Sequence, residues 1–83
     1  MKGLAVDLDI KRRSDSEVET MIRSAVENGA KRIGLYTGRT GLHVDMGSTG
    51  VGKKKAHFMY DRSIRNLGRA PKWFRDLAAE YGN

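Results

Sequence analysis

Two short runs alternate apolar and polar residues so strictly that each can bury only one face of a β-strand. In Leu4-Ala5-Val6-Asp7-Leu8-Asp9-Ile10, one face collects Leu4, Val6, Leu8 and Ile10, and the other collects Asp7 and Asp9. In Gly41-Leu42-His43-Val44-Asp45-Met46-Gly47, one face collects Leu42, Val44 and Met46, and the other His43 and Asp45. Side chains in a strand point alternately to opposite faces, so each run is greasy on one side and ionisable on the other. If the two strands share a sheet, the ionisable face gathers His43, Asp45, Asp7 and Asp9. Only one helix pattern separates them. Ser14 and Ser16 are both N-cap candidates, each with a glutamate three residues on, Glu17 and Glu19. Val18, Met21, Ile22, Ala25 and Val26 then recur at helical spacing, and Gly29 can supply a left-handed C-cap. The pattern predicts a helix over about 15–28 whose apolar stripe packs on the greasy side of the sheet.

The remaining elements follow the same logic. Ile33-Gly34-Leu35-Tyr36-Thr37 reads as a strand, and Gly38-Arg39-Thr40-Gly41 as a hairpin turn into the His43 strand. Gly47 to Lys55 reads as a loop, Ala56 to Tyr60 as a short strand, and Asp61 to Leu67 as a helical turn. Pro71 suits the first residue of a last helix, with Trp73, Phe74, Leu77, Ala78 and Tyr81 as its apolar stripe. The expected class is α+β: a small antiparallel sheet with helices packed on one face. With 83 residues the chain is one domain, a strand–helix–hairpin core over 1–52 and a basic extension over 53–83.

Composition narrows the chemistry. There is no cysteine, so no disulfide and no thiolate chemistry. A metal site must use histidine and carboxylate, and there are only two histidines, His43 and His57. His57, in Lys55-Ala56-His57, has no carboxylate beside it and is not expected to ligate. No apolar run is long enough for a membrane span, and the absence of a signal-peptide pattern points to synthesis in the cytoplasm. The net charge of +6 is uneven. Residues 1–52 carry eight Lys/Arg against seven Asp/Glu, whereas residues 53–75 carry eight against Asp61 alone. Such a module suits an acidic polymer, a nucleic acid or an acidic protein surface, with Lys53, Lys54, Lys55, Arg62, Arg65 and Arg69 as the contact residues. Gly47-Ser48-Thr49-Gly50-Val51-Gly52-Lys53 fits the phosphate-loop pattern G-x-x-x-x-G-K. The next residue is Lys54, where that loop needs the hydroxyl that holds magnesium, so nucleotide hydrolysis is set aside.

Two segments together resemble a known family. Gly3-Leu4-Ala5-Val6-Asp7 looks like the end of the signature S-x-H-x-x-G-x-A-x-D. Ile33-Gly34-Leu35-Tyr36, then Leu42-His43-Val44-Asp45-Met46-Gly47, look like its second half, often written G-I-G-Y-Y-P…F-V-H-V-D-x-G. The family is the zinc D-Ala-D-Ala carboxypeptidases and their phage endolysin relatives, which cut the cross-link peptides of peptidoglycan. The likeness covers about residues 3–47, and residues 48–83 have no counterpart in it. It implies a small antiparallel sheet with helices on one face. It further implies Asp7 as the carboxylate zinc ligand, His43 as the second histidine ligand, Tyr36 at the pocket edge, and Asp45 as the residue that polarises a water or orients the imidazole. The family's first ligand histidine falls one position before Met1, and many relatives place a general base where this chain has Thr40 or Gly41. The resemblance therefore implies a truncated relative with two of the three zinc ligands, catalytically inactive. Two alternatives stand beside it. One is a small phage or mobile-element protein that inhibits a host complex such as a CRISPR-type defence assembly. The other is a direct nucleic-acid binder. Both rest on the basic segment.

Overall fold

The structure, a computed structural model, describes residues 5–46 and 56–82. Four strands, β1 (Ala5–Asp9), β2 (Arg32–Leu35), β3 (Gly41–Asp45) and β4 (His57–Tyr60), form one sheet in the order β1-β3-β2-β4. Two helices, α1 (Asp15–Glu27) and α2 (Lys72–Tyr81), complete a small α+β fold. The pairs β1·β3 and β2·β3 are antiparallel, as the sequence predicts. The sheet is nevertheless mixed, because β4 lies parallel to β2. A four-residue strand carries no direction in its own sequence. Only the route of the chain between β3 and β4 decides it.

Local chemistry sets the limits of α1. Ser14 Oγ accepts the Glu17 N–H at 3.1 Å while Glu17 Oε1 accepts the Ser14 N–H at 2.9 Å, a reciprocal capping box. Ser14 rather than Ser16 is thus the cap, and the bonds from Ser14 hold the Glu17 carboxyl below its usual range. At the other end Gly29 takes φ +102°. Its N–H reaches the Val26 carbonyl at 3.1 Å, and the Ala30 N–H reaches Ala25 at 2.9 Å, the paired bonds of a Schellman motif. Helix α2 begins at Lys72. Pro71 has extended ψ and is the cap residue, one position earlier than its sequence preference for the first turn predicts.

The core lies between the helices and the apolar face of the sheet. Val18, Ile22 and Val26 of α1 and Phe74, Leu77 and Ala78 of α2 are buried against Ile33, Leu35, Leu42 and Phe58. Phe58 meets Phe74 edge-on at 5.4 Å and stacks on Tyr81 at 6.3 Å. Gly82 closes this corner: a Cβ there would stand 2.1 Å from the Ala56 carbonyl oxygen, so no other residue fits without moving the backbone. Arg23 ties the helices together with a two-pronged bond to Glu80 at 2.7 and 3.0 Å and further bonds to Glu19 and Tyr81. Edge strand β1 is less covered than its alternation predicts. Ile10 beyond its end is buried and Leu8 half-buried, but Val6 is 45% exposed. The basic loop over 47–55, including Lys53, Lys54, Lys55 and the phosphate-loop pattern, lies outside the described residues. Among the described residues no helix is long and apolar enough to cross a membrane.

Candidate functional site

The site stands on the sheet face that the core leaves free. Because Leu42, Ile33, Leu35 and Phe58 point into the core, their strand neighbours point away from it. Register then aligns Asp7 with His43, His43 with Gly34, and Gly34 with Met59, one row across all four strands. The next row holds Ala5, Asp45, Arg32 and His57.

His43 is the hub. Its Nδ1 is 2.8 Å from Asp7 Oδ1, and its Nε2 is 3.6 Å from Asp45 Oδ2. The first is a hydrogen bond, in which the ionised carboxylate can only accept, so Nδ1 carries the hydrogen. The second is an ion-pair distance, too long for a hydrogen bond. Tyr36 Oη donates to the same Asp7 oxygen at 3.1 Å. The bonds from His43 and then Tyr36 hold the Asp7 carboxyl below its usual range, while burial and then Asp7 push the Tyr36 hydroxyl up. Asp9, expected in the same cluster, instead accepts the Lys11 backbone N–H at 3.0 Å and pairs with its ammonium.

A missing side chain seats Tyr36. A Cβ on Gly41 would lie 2.9 Å from the tyrosine ring, so the ring rests against the Gly41 backbone and its hydroxyl reaches across β3 to β1. The space a side chain at position 41 would take is filled by the Tyr36 ring. Thr40, beside it, donates its hydroxyl to the Thr37 carbonyl at 3.3 Å.

Beside His43 the absence of a side chain at Gly34 opens a pocket of about 260 Å³, lined by Gly34, Tyr36, His43, Met59 and Arg62. Tyr36 is one of the residues that line this pocket. Gly34 and Met59 escaped the sequence reading. The available signal was an isolated glycine inside a strand, which marks a close approach or a gap. Arg62 joins the pocket from the connection after β4. Its guanidinium lies 6.0 Å from the centre of the Tyr36 ring. Arg65 and Arg69 belong to the 3₁₀ segment Ile64–Arg69 and are exposed; neither lines the His43 pocket.

A catalytic zinc ion takes three protein ligands and keeps one position open. Asp7 and His43 offer two donor atoms side by side. Among the described residues no group of three His, Cys, Asp or Glu converges. Asp45 faces the opposite ring nitrogen from Asp7, and His57 lies in the next row beyond Arg32. The described residues therefore fit part of a zinc site and not a complete one. Compared with known proteins, the chain matches no family model, no curated protein and no solved structure.

The hydrogen bonds on Asp7 define a titration. A carboxyl whose folded pKa is depressed contributes stability that is present above its unfolded value, 3.8, and is lost as pH falls through the folded value. Tyr36→Phe removes one donor and leaves the larger one, His43. The Asp7 carboxyl, followed by carbon-detected NMR, is expected to titrate at higher pH in this variant than in the parent and still below 3.8. An unchanged Asp7 titration would mean that the tyrosine bond contributes nothing in solution.

Proposed function

We propose that this chain is a zinc-peptidase-like domain of the peptidoglycan-hydrolase type in which Asp7 and His43 are two of the metal donors. The observation that carries the reading is the 2.8 Å contact between Asp7 and His43 across β1 and β3. The two residues that the motif likeness assigns to one metal ion come from different strands, 36 positions apart, and meet. Asp45 supports the reading as a second carboxylate near the same ring. When bound, zinc would supply a Lewis acid and an activated water. In this chain the imidazole is already oriented by Asp7, and Asp7 in turn by Tyr36.

Two donors hold zinc weakly, and binding must displace the hydrogen at Nδ1. The 83-residue chain is therefore expected to lose zinc on desalting and to release no muropeptides from peptidoglycan. A version with Ser-Gly-His placed directly before Met1 supplies the third donor at the family spacing. It is expected to keep close to one equivalent of zinc by elemental analysis, and His43→Ala in that background to lose it. No retained zinc in the extended chain, or equal retention after His43→Ala, contradicts the proposal.

A second reading, an acidic partner or a nucleic acid held by the basic segment, draws on Arg65 and Arg69, which are exposed on one short connector. It predicts a complex whose log affinity falls linearly with log salt and weakens on Arg65→Glu with Arg69→Glu. A gel shift insensitive to both removes it.

A further inference from the structure

The two edges of the sheet are not alike. At β4 the chain closes its own edge. The Tyr60 N–H donates to the Ser63 carbonyl and the Ser63 N–H to the Tyr60 carbonyl, both at 3.1 Å, and the Ala56 carbonyl lies against Gly82 at the end of α2. Phe58, between them, is fully buried. At β1 nothing among the described residues pairs with the outer side. The register tells which groups stand there. The Tyr36 N–H donates to the Gly41 carbonyl, so the backbone of Gly41, His43 and Asp45 turns to β2 and that of Leu42 and Val44 to β1. Val6 and Leu8, opposite Val44 and Leu42, therefore direct their N–H and C=O groups to β3, and those of Ala5, Asp7 and Asp9 point outward. The side chains of this edge sort by face. Asp7 and Asp9, on the face away from the helices, are 65% and 69% exposed. On the helix face Val6 and Met46 are exposed and Leu8 half-buried. Bonds from His43 and Tyr36 keep Asp7 ionised, and Lys11 reaches Asp9 only at 4.0 Å, an exposed pair of little strength. Charges of this kind keep like edges apart. In the full-overlap antiparallel pairing with a second copy, Asp7 would face Asp7 and Ala5 would face Asp9. Toward a strand of opposite charge the same residues act as an attraction.

We propose that the outer edge of β1 receives an extended segment of a partner protein in which basic residues alternate with apolar ones, added to the sheet as a fifth strand. Its backbone takes up the outward N–H and C=O groups of Ala5, Asp7 and Asp9. Neighbouring strands lie about 4.8 Å apart, so side chains at period two fall beside those of β1 on the same face. The basic residues lie beside Asp7 and Asp9, and the apolar residues cover Val6, Leu8 and Met46. Both cluster bonds to Asp7 fall on Oδ1, so Oδ2 is the oxygen an incoming cation meets. A nucleic acid offers no strand to pair and would meet like charge. This inference does not rest on the peptidase reading, and it is tested with chelator present so that the two can fail separately.

The probe is the peptide acetyl-Lys-Val-Arg-Val-Lys-Val-amide, titrated into isotope-labelled full chain in EDTA at low ionic strength and followed by amide shifts and amide hydrogen exchange. The control peptide carries glutamate in place of each lysine and arginine. In the free chain the amides of Val6 and Leu8 are expected to exchange slowly and those of Asp7 and Asp9 fast. With the basic peptide at ten times its Kd, exchange at Asp7 and Asp9 should slow by about tenfold, and with the acidic peptide it should not change. Asp9→Lys, which leaves Asp7 and His43 in place, should weaken binding by roughly fivefold. Ala5→Pro removes an outward donor and no bond to β3, so it should weaken binding at an unchanged melting temperature. The proposal is overturned if the acidic peptide binds as well as the basic one, if the shifts map away from β1 or are absent, or if Asp9→Lys binds as well as the parent. Protection of Asp7 and Asp9 in the free chain would equally overturn it: at all concentrations it would mean that the chain covers its own edge, and growing with concentration it would make a second copy the occupant. Should Ala5→Pro not fold, the acidic peptide and Asp9→Lys still decide the matter.

Discussion

The pairing of β1 with β3, in the register that puts Asp7 opposite His43, is the constraint on which the rest of the site depends. It is set from the other side of the sheet. Leu42 is fully buried beneath the helices, and Leu8, its register partner, is packed against the same core. With a side-chain period of two, burying Leu42 obliges His43 to face outward. A slip of one residue would send the imidazole into the core and Asp7 away from it. The geometry of the polar cluster is thus specified by apolar contacts that never touch it, while the polar contacts orient the rings and carboxylates within the place they are given.

Two glycines shape what that placement can do. Gly41 lets the Tyr36 ring lie on β3 and hold Asp7. Gly34 leaves a gap beside His43 in the row between β3 and β4. Gly34 lies inside β2, where glycine weakens the strand itself, and Gly41 opens β3. The result is an imidazole with a carboxylate on either side, a tyrosine at the rim and an arginine overhead, on a face open to solvent. Arg62 brings a cation to the pocket that adjoins this cluster.

Much of this was legible in the residues. The alternation in 4–10 and 41–47 gave both strands, their faces and the proximity of Asp7 to His43, because amphipathic strands have one way to bury themselves. The serine–glutamate boxes at Ser14 and Ser16 and the glycine at Gly29 bracketed α1 because caps are local chemistry, and the structure takes Ser14. The parallel direction of β4 was not legible, since His57–Tyr60 pairs through backbone atoms that every residue shares. Nor was the exposure of Val6, whose alternation matches that of Leu8; cover depends on how far the helices extend across the sheet. The place of Arg62 over Tyr36 was hidden as well. It arises from a turn conformation that its sequence does not favour, and it separates Arg62 from the other arginines with which composition groups it.

Asp7 orients the His43 ring, and the ring nitrogens report this directly. A long-range proton–nitrogen correlation spectrum of the neutral imidazole distinguishes which nitrogen bears the hydrogen. The hydrogen is expected on Nδ1 of His43, with that preference lost in Asp7→Ala. A hydrogen on Nε2 in the parent chain, or the same tautomer in both proteins, would contradict the account.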